Sequence, residues 1–130
     1  MATPVGELRI LIVDDLQAAR HTLRVLLTQI GIAHVDEARN GSEAKTSLKS
    51  AKYNAVICDW MMPEGSGLDL LKHIRSDAAL KSTPFVMVTG NASRENVLEA
   101  VKNGITAYVV KPVTQEALRA ALKKSLPQTF

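Results

Sequence analysis

Three aspartates directly follow apolar segments of the sequence and could act together as ligands of a cation. Asp14 and Asp15 come after Arg9–Val13, and Asp59 comes after residues 55–58. If these segments are neighbouring parallel strands, the three carboxylates converge, which is unfavourable unless a cation or protonation relieves the repulsion. Carboxylates completed by a backbone carbonyl and water suit Mg²⁺, which often binds beside phosphate oxygens. The pattern therefore predicts a magnesium site.

A simpler role for the first two aspartates is to cap the helix that follows them, because Asp is favoured at that junction. One Asp alone would fit this interpretation. Two successive aspartates, with Asp59 ending a different segment, favour a functional cluster over a cap.

A hydroxyl and an ammonium group follow two further apolar segments. The fourth segment ends at Thr89, and the fifth is followed by Lys111 and Pro112. Taken singly, Thr89 would be a turn residue and Lys111 a solvated charge. At the edge that carries the aspartates, however, both could contact the oxygens of a transferred phosphoryl group.

Five strands and five helices are predicted to position these residues. The strands are Arg9–Val13, His34–Ala38, 55–58, 85–88 and Ala107–Val110, and all but the second are continuously apolar, as in strands covered on both faces. The helices are 16–30, with an apolar stripe that begins at Leu16, then 42–50, 68–75, 93–103, and one that is capped by Thr114 and runs to about Leu126. Strict alternation with short connections predicts a doubly wound α/β fold with a parallel sheet. Its reactive edge lies at the carboxyl ends of the strands.

Composition places the chain among single-domain globular proteins. Its 130 residues predict one domain, 1–130, with a core of about residues 8–126. The single cysteine, Cys58, fits a reducing compartment, and no leader or membrane segment is recognisable, so we expect a cytoplasmic protein. The basic residues are scattered and there are five aromatic residues, which argues against binding to nucleic acid.

Several sequence runs resemble the receiver domains of response regulators. They are ILIVDD at 10–15, DWMMP at 59–63 with Gly67 and Leu68, VT at 88–89 and YVVKP at 108–112, in the order and at the spacing of the family. The pairs DW at 59–60 and EN at 95–96, with the run at 108–112, are most similar to CheY-like single-domain regulators of chemotaxis. The resemblance implies a flavodoxin-like fold with strand order 2-1-3-4-5. We expect no output domain, because the sequence ends soon after the last predicted helix.

The resemblance also implies roles for the residues at the predicted edge. Asp59 would accept a phosphoryl group from a phosphohistidine of a sensor kinase, while Lys111 and Thr89 would bind phosphoryl oxygens. The implied ligands of Mg²⁺ are Asp15, Asp59, the backbone carbonyl of Met61 and, through a bound water, Asp14. Such a transfer depends on positioning and charge neutralisation rather than on an acid–base pair.

A conformational switch is implied by the same residues. Movement of the Thr89 hydroxyl toward the phosphoryl group would let Tyr108 rotate and remodel the face built from the fourth helix, fifth strand and fifth helix. Alternatively, Tyr108 is an ordinary aromatic residue of an edge strand. The family also has a cis peptide bond at Lys111-Pro112.

Four residues are expected to flank the acceptor. Trp60 would lie beside it, partly exposed, and Gly90 would keep access open. Met61 and Asn91 would influence how water reaches the phosphoryl group. Because the Met61 thioether cannot orient water, we expect slow self-dephosphorylation.

The expected partners are a sensor histidine kinase, a downstream target such as a flagellar motor switch protein, and a phosphatase, with the chain itself a monomer or a dimer formed on phosphorylation. Chemotaxis is the preferred setting, and a phosphorelay intermediate or another single-domain regulator is the alternative. The chain would not be an enzyme beyond its own phosphotransfer and self-dephosphorylation. An aspartyl-phosphate phosphatase is disfavoured because haloacid-dehalogenase-like enzymes carry their first two aspartates two residues apart. An unphosphorylated interaction module is disfavoured because the acidic residues, Thr89 and Lys111 are all present.

Overall fold

The computed structural model describes residues 3–62, 66–90 and 93–130. Its strands are β1 (Arg9–Val13), β2 (His34–Ala38), β3 (Ala55–Asp59), β4 (Phe85–Thr89) and β5 (Ala107–Val110). Its helices are α1 (Gln17–Ile30), α2 (Gly41–Ser50), α3 (Gly67–Ser76), α4 (Arg94–Lys102) and α5 (Gln115–Ser125), and a 3₁₀ turn at Val5–Glu7 precedes β1. The strands form one parallel sheet in the order β2-β1-β3-β4-β5. The predicted doubly wound fold and strand order are confirmed.

Two apolar clusters hold the sheet, one on each face. Alternate residues of a strand point to opposite faces, so Ile10 and Ile12 join the cluster under α1 and α5, whereas Leu11 and Val13 join the cluster under α2 and α3. Strands β3 and β4 are buried along their whole length. The carboxyl ends of the central strands are thus fixed by core packing on both sides.

The fifth strand differs from the prediction that it is covered on both faces. β5 lies at the edge of the sheet, Tyr108 is half-buried, and Val110 is 47% exposed. Tyr108 and Val110 alternate with the buried Ala107 and Val109, so one face of β5 is covered and the other is only partly covered.

Strand β3 extends one residue beyond its predicted bounds, and β4 ends at Thr89, where the fourth apolar segment was predicted to end. Asp59 pairs with Val88, and Thr89 pairs with Val110, so both polar residues belong to the sheet rather than to the loops after it. Their backbones are therefore fixed by interstrand hydrogen bonds.

The helices begin at caps that hold their first turns. Asn40, Ser66, Ser93 and Thr114 each accept a hydrogen bond from the third residue of the following helix, and Ser66 forms a capping box with Asp69. The prediction that Leu16 starts the buried stripe of α1 is wrong, because Leu16 precedes the helix in extended conformation and is 58% exposed. Within the described ranges, no helix is both long and apolar enough to span a bilayer.

Candidate functional site

Three carboxylates meet at the carboxyl edge of β1 and β3. These strands pair through Val13 and Cys58, so Asp14 and Asp15 leave β1 beside the place where β3 ends at Asp59. Carboxylate oxygens of the three residues lie within 4.8 Å of one another. Asp14 is 1% exposed, Asp59 is also buried, and Asp15 is half-buried. The sequence prediction that these side chains converge is therefore matched by their positions.

One ammonium group reaches two of these carboxylates. Lys111 Nζ lies 3.3 Å from Asp59 Oδ1 and 3.5 Å from Asp14 Oδ2. The Lys111 backbone N–H donates to the Thr89 carbonyl over 2.8 Å, which extends the pairing of β4 with β5. The Lys111-Pro112 peptide bond is cis, as the family resemblance implies, and Pro112 itself is exposed. Lys111 thus supplies positive charge next to the acceptor candidate.

The surroundings of the Asp59 carboxyl group disfavour its ionised form. Its pKa is raised, first by burial and then by the negative charges of Asp14 and Asp15, while Lys111 acts in the opposite direction. A single ammonium group does not neutralise three carboxylates. Additional positive charge at this edge would stabilise the ionised form of Asp59.

The donor set fits a hard divalent cation. All three side chains offer oxygen, the ligand that Mg²⁺ prefers. The carboxylate oxygens lie within 4.8 Å of one another, and the oxygens around a bound Mg²⁺ lie about 3–4 Å apart when each metal–oxygen distance is about 2.1 Å. Met61 lies in the loop after β3, where a backbone carbonyl could complete the set. The three carboxylates could therefore hold a divalent metal ion.

Asp14 also organises the turn into α1. Its Oδ1 accepts a hydrogen bond from the Leu16 backbone N–H over 2.9 Å. The residue at the N-cap of α1 is nevertheless Leu16, which makes no side-chain capping bond. A capping role would therefore account for the contact of one Asp14 oxygen only. It does not explain why the carboxylates of Asp14, Asp15 and Asp59 lie together.

Thr89 and Tyr108 connect this edge with β5. Thr89 is buried at the end of β4, and Tyr108 lies on β5 two residues before Val110, the strand partner of Thr89. Burial raises the pKa of Tyr108, and a side-chain hydrogen bond with Thr89 opposes that rise. A change at the Thr89 hydroxyl would thus be felt directly by Tyr108.

The residues predicted to flank the acceptor have different environments. Trp60 is 8% exposed and packs in the cluster under α2 and α3, so its predicted partial exposure is wrong. Its ring follows the alternation of β3 toward the core rather than the rim. Met61 is 71% exposed, and Gly90 is exposed with open space around it. Asn91 and Pro63 lie outside the described residues.

Gly67 sets the distance between α3 and the acceptor. Its N–H donates to the Trp60 carbonyl over 2.8 Å, so the first turn of α3 packs directly on the end of β3. A Cβ atom at this position would collide with the Asp59 carbonyl oxygen and would lie 3.0 Å from Met87 Sδ. The glycine in the receiver-like run thus serves close packing against the acceptor's backbone.

One residue near the site was missed by the sequence interpretation. Arg20 is 8% exposed, and its Nη1 donates to the Asp14 carbonyl over 2.7 Å. Its position carried a signal, because it shares the buried face of α1 with Leu23 and Leu27 at spacings of three and four residues. A cation on the apolar face of a helix indicates a buried ionic contact.

Comparison with known proteins gives results consistent with this geometry. Residues 10–123 match the family model described as response regulator receiver domain. The chain is 41% identical over 117 residues to chemotaxis protein CheY-3 of Vibrio cholerae serotype O1, covering 90% of each chain. It is 38% identical to chemotaxis protein CheY of Pseudomonas aeruginosa, covering 90% of this chain and 94% of that one. Among solved structures, the chemotaxis response regulator CheY4 of Vibrio cholerae superposes with a TM-score of 0.84 at 31% identity, covering 92% of this chain and 98% of that one.

Proposed function

Because this chain belongs to the response regulator receiver domain family, we propose that it is a phospho-accepting switch whose acceptor is Asp59. The observation that carries the proposal is the meeting of three carboxylates with one ammonium group at the edge of β1, β3 and β5. Asp59 is the carboxylate that lies within the sheet at its centre, and Lys111 contacts it more closely than it contacts Asp14.

The proposed reaction moves a phosphoryl group from a histidine side chain of a sensor kinase to the Asp59 carboxylate. An Asp59 oxygen forms a bond to phosphorus while the phosphorus–nitrogen bond breaks and the imidazole leaves with the bonding electrons. Lys111 neutralises one phosphoryl oxygen, and Thr89 donates a hydrogen bond to another. These groups are held by strand ends, so catalysis consists of positioning and charge neutralisation.

Magnesium would be held by Asp15, Asp59, the Met61 carbonyl and, through water, Asp14. When bound, it supplies the positive charge that offsets repulsion between the phosphoryl oxygens and the carboxylates. We further propose that the chain is not an enzyme acting on other substrates. Its chemistry is limited to its own phosphorylation and the hydrolysis of its own acyl phosphate.

Intact-mass spectrometry tests this function. The protein is incubated with acetyl phosphate, with and without Mg²⁺, and is compared with Asp59→Asn. The expected result is the gain of one phosphoryl group that requires Mg²⁺ and is absent from the variant. A folded wild-type chain that gains nothing under either condition would refute the proposal.

The output surface would be the α4–β5–α5 face, defined by exposed residues of these three elements. Leu98 and Val101 on α4 and Val110 on β5 are large apolar side chains exposed on this face. Large apolar side chains that are left exposed on these elements could contact a protein partner. The hydrogen bond between Thr89 and Tyr108 joins this face to the acceptor edge. Phosphorylation would shift a two-state equilibrium by its different contacts in each state.

Chemotaxis is the setting that the relatives favour, since the two similar proteins reported above are named as chemotaxis proteins. We propose a cytoplasmic protein that receives phosphate from a sensor histidine kinase and binds a flagellar motor switch protein, with a phosphatase ending the signal. Calorimetric titration of that switch protein with phosphorylated and unphosphorylated chain tests the assignment. Tighter binding of the switch protein by the phosphorylated form supports chemotaxis. If neither form binds the switch protein, a phosphorelay intermediate is favoured.

A further inference from the structure

Arg20 is a buried cation that the proposed reaction does not use. Its side chain lies on the core-facing side of α1 beside Leu23 and Leu27, with 8% of the residue exposed. Removing a guanidinium group from water is costly unless hydrogen bonds and opposite charge compensate it. Its contacts therefore indicate what keeps it there.

The Arg20 guanidinium bridges the ends of β1 and β2. Nη1 donates to the Asp14 carbonyl over 2.7 Å, and Nε donates to Glu37 Oε1 over 2.9 Å. Glu37 is itself held from its other oxygen by Arg24 Nε at 2.7 Å, and Arg24 Nη2 donates to the Val35 carbonyl over 2.9 Å. The fork of Arg20 is thus fixed in direction by an ion pair that is anchored on β2.

Asp14 is held at three of its atoms. Its backbone N–H donates to the Ala38 carbonyl over 3.1 Å, its side chain accepts from the Leu16 N–H over 2.9 Å, and its carbonyl accepts from Arg20 over 2.7 Å. The Asp14 carbonyl and the Asp15 N–H belong to the same planar peptide group. Fixing that carbonyl therefore fixes the positions of the Asp15 N–H and Cα, from which the Asp15 side chain leaves the backbone.

We propose that Arg20 is a positioning residue for the acidic cluster, which orients the Asp14-Asp15 peptide so that both carboxylates face a divalent cation beside Asp59. The inference rests on the proposed function, because it assigns the cluster to Mg²⁺. Groups that orient metal ligands without touching the metal commonly change affinity by about 10–100-fold when removed. Glu37 has the supporting role of fixing the direction of the Arg20 guanidinium.

The sign of the effect separates positioning from simple electrostatics. Removing the Arg20 cation, which contacts the Asp14 carbonyl, makes the surroundings of the cluster more negative, so an effect of charge alone would tighten Mg²⁺ binding. Loss of positioning would weaken it. The test variant is Arg20→Met, which keeps an unbranched apolar side chain on the buried face of α1.

The matched control is Arg75→Met, at the opposite edge of the sheet. Arg75 also donates to backbone carbonyls, those of Lys81 and Thr83 before β4 and of Gly104 before β5. Both substitutions are expected to lower the free energy of unfolding measured with urea in Mg²⁺-free buffer. Only Arg20→Met is expected to change the affinity of the folded protein for Mg²⁺.

Calorimetric titration with Mg²⁺ is the measurement. We expect Arg20→Met to bind Mg²⁺ at least about tenfold more weakly than wild type and Arg75→Met to bind it equally well. Unchanged or tighter binding by folded Arg20→Met would overturn the inference while leaving the proposed function intact. If wild type itself binds no Mg²⁺, the proposed magnesium site fails and the inference fails with it.

A second variant covers the case in which Arg20→Met does not fold. Arg20→Lys retains the charge, but a single ammonium group cannot reproduce the two-directional fork. Weaker Mg²⁺ binding by this variant cannot arise from altered net charge and would support positioning. Wild-type affinity in folded Arg20→Lys would contradict it.

Discussion

Substitution of Gly67 by alanine should destabilise the fold through a collision with the acceptor's own backbone. The added Cβ would meet the Asp59 carbonyl oxygen closer than real contacts allow and would lie 3.0 Å from Met87 Sδ. The methionine can shift, because its side chain is flexible. The carbonyl cannot easily move, since the Trp60 N–H after it donates to Val88 and the Trp60 carbonyl accepts from Gly67.

The magnitude follows from two opposing effects. Overpacking of a buried site costs about 1–3 kcal/mol. Because the added Cβ of Gly67→Ala collides with backbone, we expect a cost of about 3 kcal/mol. Alanine is favoured over glycine in a helix by about 1 kcal/mol. The net loss should be about 2 kcal/mol, which for a chain of this size lowers Tm by about 8 °C. With a urea m-value of about 2 kcal/mol/M, the midpoint should fall by about 1 M.

Urea unfolding followed by the fluorescence of Trp60 measures this loss, and Gly41→Ala is the matched control. A Cβ at Gly41 meets nothing within 4 Å, and Gly41 likewise begins a helix. The control should be unchanged or more stable by up to about 1 kcal/mol. Displacement of the Asp59 backbone should also slow phosphorylation of Gly67→Ala by acetyl phosphate. A Gly67→Ala midpoint equal to that of Gly41→Ala would refute the packing argument.

Three further substitutions test other features. Met61→Asn should lose its phosphoryl group faster than wild type, because an amide can orient water where an exposed thioether cannot. The loss is measured by intact-mass spectrometry after the phosphodonor is removed, and an equal rate would contradict this expectation. Burial raises the pKa of Glu37, but hydrogen bonds from Arg24 and Arg20 outweigh this effect and leave the pKa below 4.5. The wild type should therefore have a higher free energy of unfolding in urea than Glu37→Gln at neutral pH, and the difference should vanish as the pH falls below 4.5. Burial and the hydrogen bond to Asp36 raise the pKa of Tyr53 to about 12. The contribution of Tyr53 to the free energy of unfolding should therefore be complete below pH 10 and be lost toward pH 12. Tyr53→Phe should lack both this loss of stability and the accompanying change in phenolate absorbance.

Strand ends were the most predictable part of the site. Continuous apolar segments followed by aspartate, threonine or lysine predict where buried strands reach solvent, and parallel strands bring those ends to one edge. This reasoning places Asp14, Asp59 and Lys111 together before any coordinates are known. It misplaces Asp59 by one residue, because pairing with Val88 draws a polar residue into the strand.

Features that depend on tertiary neighbours could not be predicted in the same way. The helical spacing of Leu16 placed it on the buried stripe of α1, but the hydrogen bond from its N–H to Asp14 holds it ahead of the helix. The apolar run in β5 does not reveal that one face of this strand is only partly covered, which leaves Val110 exposed. One partner of Arg20 is the Asp14 carbonyl, six residues earlier, and a backbone group carries no signal in side-chain patterns.

Chemical mapping of the phosphorylated residue tests the central claim most directly. Borohydride reduces an aspartyl phosphate to homoserine, so peptide mass analysis of protein phosphorylated by acetyl phosphate and then reduced identifies the acceptor by its new side chain. The proposed function predicts homoserine at position 59 and unmodified aspartate at positions 14 and 15. Homoserine at position 14 or 15, or phosphate carried on any other residue of the wild-type chain, would contradict it.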